Sequence, residues 1–477
     1  MSWSAASFTR ALALHGSSAV LAAFLAGCAT PEPQPIDPVR SEAEFRARTL
    51  GEGEIFKNIG TQLNRGPDGE WDLDALTMAA FFYHPDLDLA RARLGVAQAA
   101  TTTAGAIPNP TFGADLEKVL GSGGPPSPWV YGFSLNLPLD FLWKRGYRVE
   151  AAGYSASAAR LELSEVGWRV RSRLRAALAD HLLALLELEG RRFEEAVREE
   201  VAKALEARLA VGEIFRLDVD AARAELASAR AGTHAAEGRV SESRAIVASR
   251  IGVPGSALAG IRLAWPELEK PPAEDALPLP SVVAAGLVNR LDIRRTLAEY
   301  AASEALLGLE LAKRYPDVSL GPGYLWDQGD KKFAVGLSVS LPVFNQNGGP
   351  IAEAEARRKE VAARFLALQA QAIGETEAAS ARYRSALAEL GEAEKALAAA
   401  RRRETSVRRG VELGEMDRIA LTGVRMELSA ARAGRLAAIR RAHAALGDLE
   451  DTVQRPLGPG SPPLDPGTGE PRRKEKP

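Results

Sequence analysis

The chain reads as a mainly α fold with internal duplication. Very long antiparallel helices form a helical barrel, and a pair of β-hairpins gives four strands per chain to a trimeric, twelve-stranded transmembrane β-barrel. Three observations carry this expectation. Two stretches of more than sixty residues lack proline and place small or apolar residues at helical spacing. Four short segments alternate apolar with small or polar residues, the period of a strand. The same order of landmarks also occurs twice along the sequence.

The first long helix is expected from Gly146 to about Leu209 and its counterpart from Gly349 to about Val411. At 1.5 Å per residue each measures roughly 95 Å, too long to lie inside one compact globule. Segments of about 37 residues then return to Ile251 and Asp451, and helices near 72–106 and 281–314 precede the hairpins. Two shorter pieces end to end thus match one long strut. The seam on the first long helix is Val149, Ala152, Ala156, Ala159, Leu163, Val166, Val170, Leu174, Ala177, His181, Ala184 and Leu188. An ordinary coiled coil gives the same stripe.

The strands decide the matter. After Pro110, Phe112, Ala114 and Leu116 oppose Gly113, Asp115 and Glu117. "WVYGFSLNLP", ending at Pro138, sets Tyr131, Phe133, Leu135 and Leu137 against Gly132, Ser134 and Asn136. In the second half Val318, Leu320, Pro322, Tyr324 and Trp326 alternate with Ser319, Gly321 and Gly323, and Pro322 removes one ladder donor. "DQGDKK" is expected as a turn, and "FAVGLSVSLP" as the last strand, with Phe333, Val335, Leu337, Val339 and Leu341 on one face and its end at Pro342.

A small soluble sheet with one buried face produces the same alternation. It requires a cover for about eighteen apolar side chains, while the helices are committed to one another. In lipid, four strands leave two open edges, and spanning barrels begin at about eight strands. Three copies supply twelve. On that reading Trp129, Tyr131, Tyr324 and Trp326 form an interfacial girdle, with Phe133, Leu135, Phe333, Val335 and Leu337 toward lipid. Asp115 and Glu117 face the lumen, exposed strand-end charge being the plain alternative.

The two halves give the domain plan. Residues 71–252 form repeat 1 and 281–455 repeat 2, with Pro110 and Pro316 lying 206 positions apart. A Pro-rich linker, 253–280, separates them, and 456–477 form a Pro/Gly-rich, then charged, disordered tail. At the other end "LAGC", Leu25 to Cys28, follows Arg10 and a small, apolar stretch, and resembles a bacterial lipoprotein signal cleaved before Cys28. Residues 1–27 are then the signal peptide and 28–70 a lipidated leash. A free cysteine in an irregular N-terminus is the alternative.

Composition excludes other classes. The net charge of −2, with 26% charged residues of both signs interleaved, gives no basic surface for nucleic acid. The five histidines are scattered, "LGSGGPPSP" lacks the ending of a phosphate loop, and four methionines with one acylated cysteine offer no soft-metal site. No enzyme, no cofactor and no metal site are expected.

The junctions "FSLNLPLDFLWKRGYRVEAA" and "LSVSLPVFNQNGGPIAEAEARR", the repeated helix–hairpin–helix order, the glycine turns and the lipobox resemble the TolC-type outer-membrane efflux protein family over residues 28–455. The resemblance implies a passive homotrimeric conduit through the outer membrane and into the periplasm, lipid-anchored. It implies work with a periplasmic adaptor and an inner-membrane resistance–nodulation–division pump that exports small molecules or metal ions. It also assigns the adaptor-docking tips to Val211, Gly212, Glu213, Leu413, Gly414 and Glu415, where a mere helix break is the plain reading. The family's aspartate ring falls on Ala420 and Gly423 here, leaving Asp218 and Asp417, with Arg418 as a partner for either, as entrance candidates; solvated tip charges are the alternative. A lipid-anchored coiled-coil scaffold and a type I protein-secretion channel are the competing functions.

Overall fold

The computed structural model describes residues 32–50, 70–120, 127–139, 141–273, 275, 277 and 290–457. The segment expected as a signal, Cys28, residues 121–126, the expected start of repeat 2 at 281–289 and the tail from 458 lie outside the described residues. Residues 1–48 form one unit, in which helix α1 (Pro38–Arg46) is capped by Asp37, whose carboxylate accepts from Val39 N at 2.9 Å.

The second unit, residues 49–477, holds the remaining elements. These are β1 (Glu70–Trp71), α2 (Leu73–Tyr83), α3 (Pro85–Gly105), β2 (Thr111–Lys118), β3 (Trp129–Pro138), α4 (Phe141–Ala210) and α5 (Arg216–Ile251). After them come a 3₁₀ turn (Gly255–Leu258), β4 (Arg262–Leu263), α6 (Leu291–Ala312), β5 (Val318–Asp327), β6 (Asp330–Val339), α7 (Gly348–Glu412) and α8 (Arg418–Val453).

Each proline-free stretch holds a long helix and its return helix, separated by a reversal at Gly212 or Gly414. α4 has 70 residues and α7 has 65, so α4 measures about 105 Å, and α5 and α8 have 36 residues each. The expected 72–106 helix is instead two helices. Pro85 has no N–H and forces the preceding residue out of the helical region, so His84 sits at φ −74, ψ 124 and caps α3 through its ring. On α4, Leu163, Val166, Val170, Leu174, Ala177, His181, Ala184 and Leu188 are all buried, whereas Val149, Ala152, Ala156 and Ala159 are half-buried.

The helices pack as a row, α5 on α4, α4 on α8, α8 on α7, with α3 also on α4 and α6 between α4 and α7. Two apolar cores sit at mid-length. One joins α2, α3, α4 and the end of α5, with Leu76, Phe81, Leu174, Leu178 and Ile251 fully buried. The other joins α4, α7 and α8 through Leu183, Tyr383, Ile439 and Leu449. The segment expected as a plain linker contributes to both: Leu258 and Leu263 enter the first core, Leu268 and Leu277 the second, and β4 pairs in parallel with β1.

The four long strands form one antiparallel sheet in the order β2-β3-β5-β6. β6 begins at Asp330 and ends at Val339, three residues earlier at each end than the alternation suggested. A two-residue turn is the cause: Gln328 (φ 53) and Gly329 (φ 123) reverse the chain, which brings Asp330, Lys331 and Lys332 into the ladder and leaves Leu341 beyond it. Pro322 stays within β5 opposite Val335, and the β3–β5 pairing skips from Ser134–Gly323 to Leu137–Leu320 beside it.

Candidate functional site

Register sorts the sheet into two unlike faces. Rows such as Leu116–Tyr131–Trp326–Lys331 and Leu320–Leu337 run across strands, so the four apolar sets share one face. On it Phe112 and Phe133 stack at 6.0 Å and Tyr131 and Trp326 at 4.8 Å. Trp129, Tyr131, Phe133 and Leu135 are exposed, as are Phe333, Val335 and Leu337, with Phe333 at 81%; Tyr324 and Trp326 are half-buried by their neighbours. Among the described residues no helix covers this face closely enough to bury it. The opposite face carries Asp115, Glu117, Ser134, Asn136 and a run of glycines.

Below the sheet the strands are tied to the struts. Buried Lys144 in the first turn of α4 forms an ion pair with Asp317, just before β5, and Leu139 N donates to Val318 O at 2.8 Å.

At the far ends of the struts the two expected reversals have the same construction. Gly212 (φ 80) and Gly414 (φ 77) adopt the left-handed conformation that glycine tolerates. Glu213 N donates to Arg208 O at 3.0 Å and Glu415 N to Gly410 O at 2.8 Å, closing each helix with a six-to-one bond. Val211, Glu213, Leu413 and Glu415 are exposed around them. Sequence reasoning passed over their apolar companions Phe215, Leu217 and Met416, exposed at 82%, 78% and 49%.

The entrance candidates act as caps. Asp218 accepts from Phe215 N at 3.2 Å at the start of α5, and Asp417 caps α8. The expected Arg418 partnership is not formed: Arg418 offers Asp417 its backbone amide, while the guanidinium beside Asp417 belongs to Arg208, at 2.6 Å. Arg208, in the last turn of the adjacent α4, takes the place expected for Arg418, the first residue of α8. That hydrogen bond holds the Asp417 carboxyl below its ordinary range.

A buried charged cluster, absent from the sequence reading, joins α4 to the end of α8. Arg175 meets Glu450 at 2.7 Å and Arg171 meets it at 3.3 Å, while Trp168 and Ser172 donate to Asp451 at 2.9 and 2.6 Å. Burial pushes the Asp451 carboxyl up. Two partnered arginines on one helix face read as solvated charge in a sequence; their burial depends on α8 arriving from about 275 residues away.

Among the described residues no helix is long and apolar enough to cross a membrane, and no group of three or more His, Cys, Asp or Glu side chains is placed to hold a metal ion.

This combination of 65- to 70-residue struts, paired hairpins and an exposed apolar sheet face is the fold of outer-membrane channels. The outer membrane protein VceC of Vibrio cholerae aligns with a TM-score of 0.63 at 22% identity, over 81% of this chain and 97% of that one. The CmeC outer membrane channel of Campylobacter jejuni aligns with a TM-score of 0.65 at 15% identity, over 92% and 95%. In sequence, residues 81–253 match the family model described as outer membrane efflux protein. The cobalt-zinc-cadmium resistance protein CzcC of Cupriavidus metallidurans is 25% identical over 235 residues, 49% of this chain and 55% of that protein, so the match spans about half the relative's length. Over residues 81–253 the chain therefore resembles the outer membrane efflux protein family.

Proposed function

We propose that this chain is the outer-membrane channel of a tripartite efflux system, a passive homotrimeric conduit for small molecules or metal ions, driven by an inner-membrane pump of the resistance–nodulation–division class. The observation that carries the proposal is the four-stranded sheet with one face apolar except for Lys118 and Lys331 at its turn end, and its outer edges at β2 and β6. Hydrocarbon solvates such a face but not open edges, so a copy of β6 must pair with β2 of the next copy.

The helices support the same closure. α5 and α7 stand at the two ends of the helical row. On α5 the face turned away from α4 exposes Ala221, Ala224, Ser228, Ala231, Ala235 and Gly238, spaced by threes and fours. On α7 the face turned away from α8 exposes Ala381, Ser385, Ala388, Ala396 and Ala399. Solvated helix faces are normally charged, whereas two small-residue stripes of matching period suit close helix contact between copies.

The relative that shares half its length with this chain is named for cobalt, zinc and cadmium resistance, which supports metal ions as cargo alongside small molecules. Cys28 would carry the lipid anchor, and the tips at Gly212 and Gly414 would receive the periplasmic adaptor. Asp218 and Asp417 would sit at the entrance, and Asp115 and Glu117 would line the lumen. Fractionation with gels of unheated samples tests the proposal. A detergent-requiring trimer in outer membranes supports the channel; a carbonate-extractable monomer indicates a peripheral scaffold instead.

A further inference from the structure

The rim of the sheet separates its charges by face. On the glycine-rich face at the turn end stand Asp115, Glu117, Asp327 and Asp330, with Lys332 held by Asp327 at 2.6 Å. The apolar face at the same height carries two exposed lysines, Lys118 opposite Trp129 and Lys331 opposite Trp326. Neither has an acidic partner among the described residues. The Lys118 ammonium lies 5.5 Å from the centre of the Trp129 ring, and the Trp326 ring stacks on Tyr131. No Asp or Glu lies on the apolar face of these four strands.

We propose that Lys118 and Lys331 bind the phosphate groups of the outer-leaflet lipid. The inference rests on the membrane-spanning reading above and adds a ligand to it. A cation standing beside indole rings at the end of an apolar band lies at headgroup depth, where an anionic phosphate is its natural counter-charge. Lys118 is on β2 and Lys331 on β6, the two edges of the sheet. If edges pair between copies, each junction brings one lysine from either side toward a shared phosphate. The acids on the lumen face leave the cargo path free of this attraction.

The test reconstitutes the full chain into phosphatidylcholine vesicles containing lipid A, and counts lipid A retained after detergent extraction by native mass spectrometry. Lys118→Gln together with Lys331→Gln is expected to lower retention about tenfold at low salt, with the arginine pair restoring it. Lys332→Gln, on the other face, is expected to leave retention unchanged. Lipid A stripped of its phosphates should be retained as poorly by the wild type as intact lipid A is by the glutamine pair. Equal retention by wild type and glutamine pair, with both inserted, overturns the lysine assignment alone. Failure of the wild type to insert into phosphatidylcholine vesicles removes the membrane reading as well.

Discussion

Arg208, in the last turn of α4, donates to Asp417, the N-cap of α8, across 2.6 Å. The contact fastens one helix reversal to the other through residues 209 positions apart in sequence. The pair is solvent-exposed, so its effect on global stability is small and its effect on the tips is local. Arg208→Ala is expected to speed hydrogen exchange in the first turn of α8 without lowering the melting temperature appreciably. Asp218→Ala combined with Asp417→Ala is expected to raise single-channel conductance or weaken cation preference in bilayer recordings. Unchanged recordings would remove these carboxylates from the entrance.

The buried cluster behaves differently. Glu450 compensates both Arg171 and Arg175, so Glu450→Ala leaves two guanidinium groups buried without a countercharge, a loss of about 3 kcal/mol. Gly447→Ala should act in the same direction, because its Cβ would collide with the Arg175 guanidinium and displace it. Thermal melting of the detergent-solubilised protein checks both, and a melting temperature equal to wild type for Glu450→Ala contradicts the account.

Acid should loosen the middle of the helical row. Burial holds His84, His181 and His443 below the ordinary histidine value of 6.5. A histidine whose folded pKa is depressed binds its proton more readily when unfolded. Its contribution to stability is therefore complete above 6.5 and lost as pH falls from there toward the folded value. His443 donates from Nε2 to Leu268 O across 2.6 Å and faces Arg175 and Glu450, while His181 meets Ser243 at 3.0 Å and faces Arg244. Asp451 and Glu165, raised by burial, act in the opposite sense, their contribution being lost as pH rises through their folded values. The melting temperature is expected to drop between about pH 7 and about pH 5, and replacing the three histidines with Gln should flatten that slope.

The tips offer a backbone test. Gly212→Ala and Gly414→Ala place a Cβ at φ of 80 and 77, costing about 1 kcal/mol at each reversal. Capture of a periplasmic adaptor by the purified protein is expected to weaken for the double variant more than for either single one. Undiminished capture would place the docking surface elsewhere.

Cysteine pairing probes the helical junction. Ala231 on α5 and Ala396 on α7 lie at similar distances along the struts from their reversals, and both are exposed. Ala231→Cys with Ala396→Cys is expected to yield disulfide-linked dimers and trimers on oxidation, while either cysteine alone should not.

Periodicity carried most of this fold. The proline-free stretches gave the struts, two-residue alternation gave the sheet faces, and the glycines gave both reversals, because each signal is local. Pro85 also announced the break at His84, although summing 72–106 into one helix ignored it. The Gln328–Gly329 turn was less legible, since Gln seldom takes positive φ. Long-range polar contacts were not legible at all. Arg171, Arg175 and Glu450, or Arg208 and Asp417, carry no local sign of their partners, and their geometry depends on which helices lie side by side.

The measurement closest to the central claim is the mass of the full chain in mild detergent. The account predicts an assembly of three copies that needs detergent to stay in solution. A stable single copy in detergent-free buffer, with Phe333, Val335 and Leu337 shielded by its own helices, would contradict it.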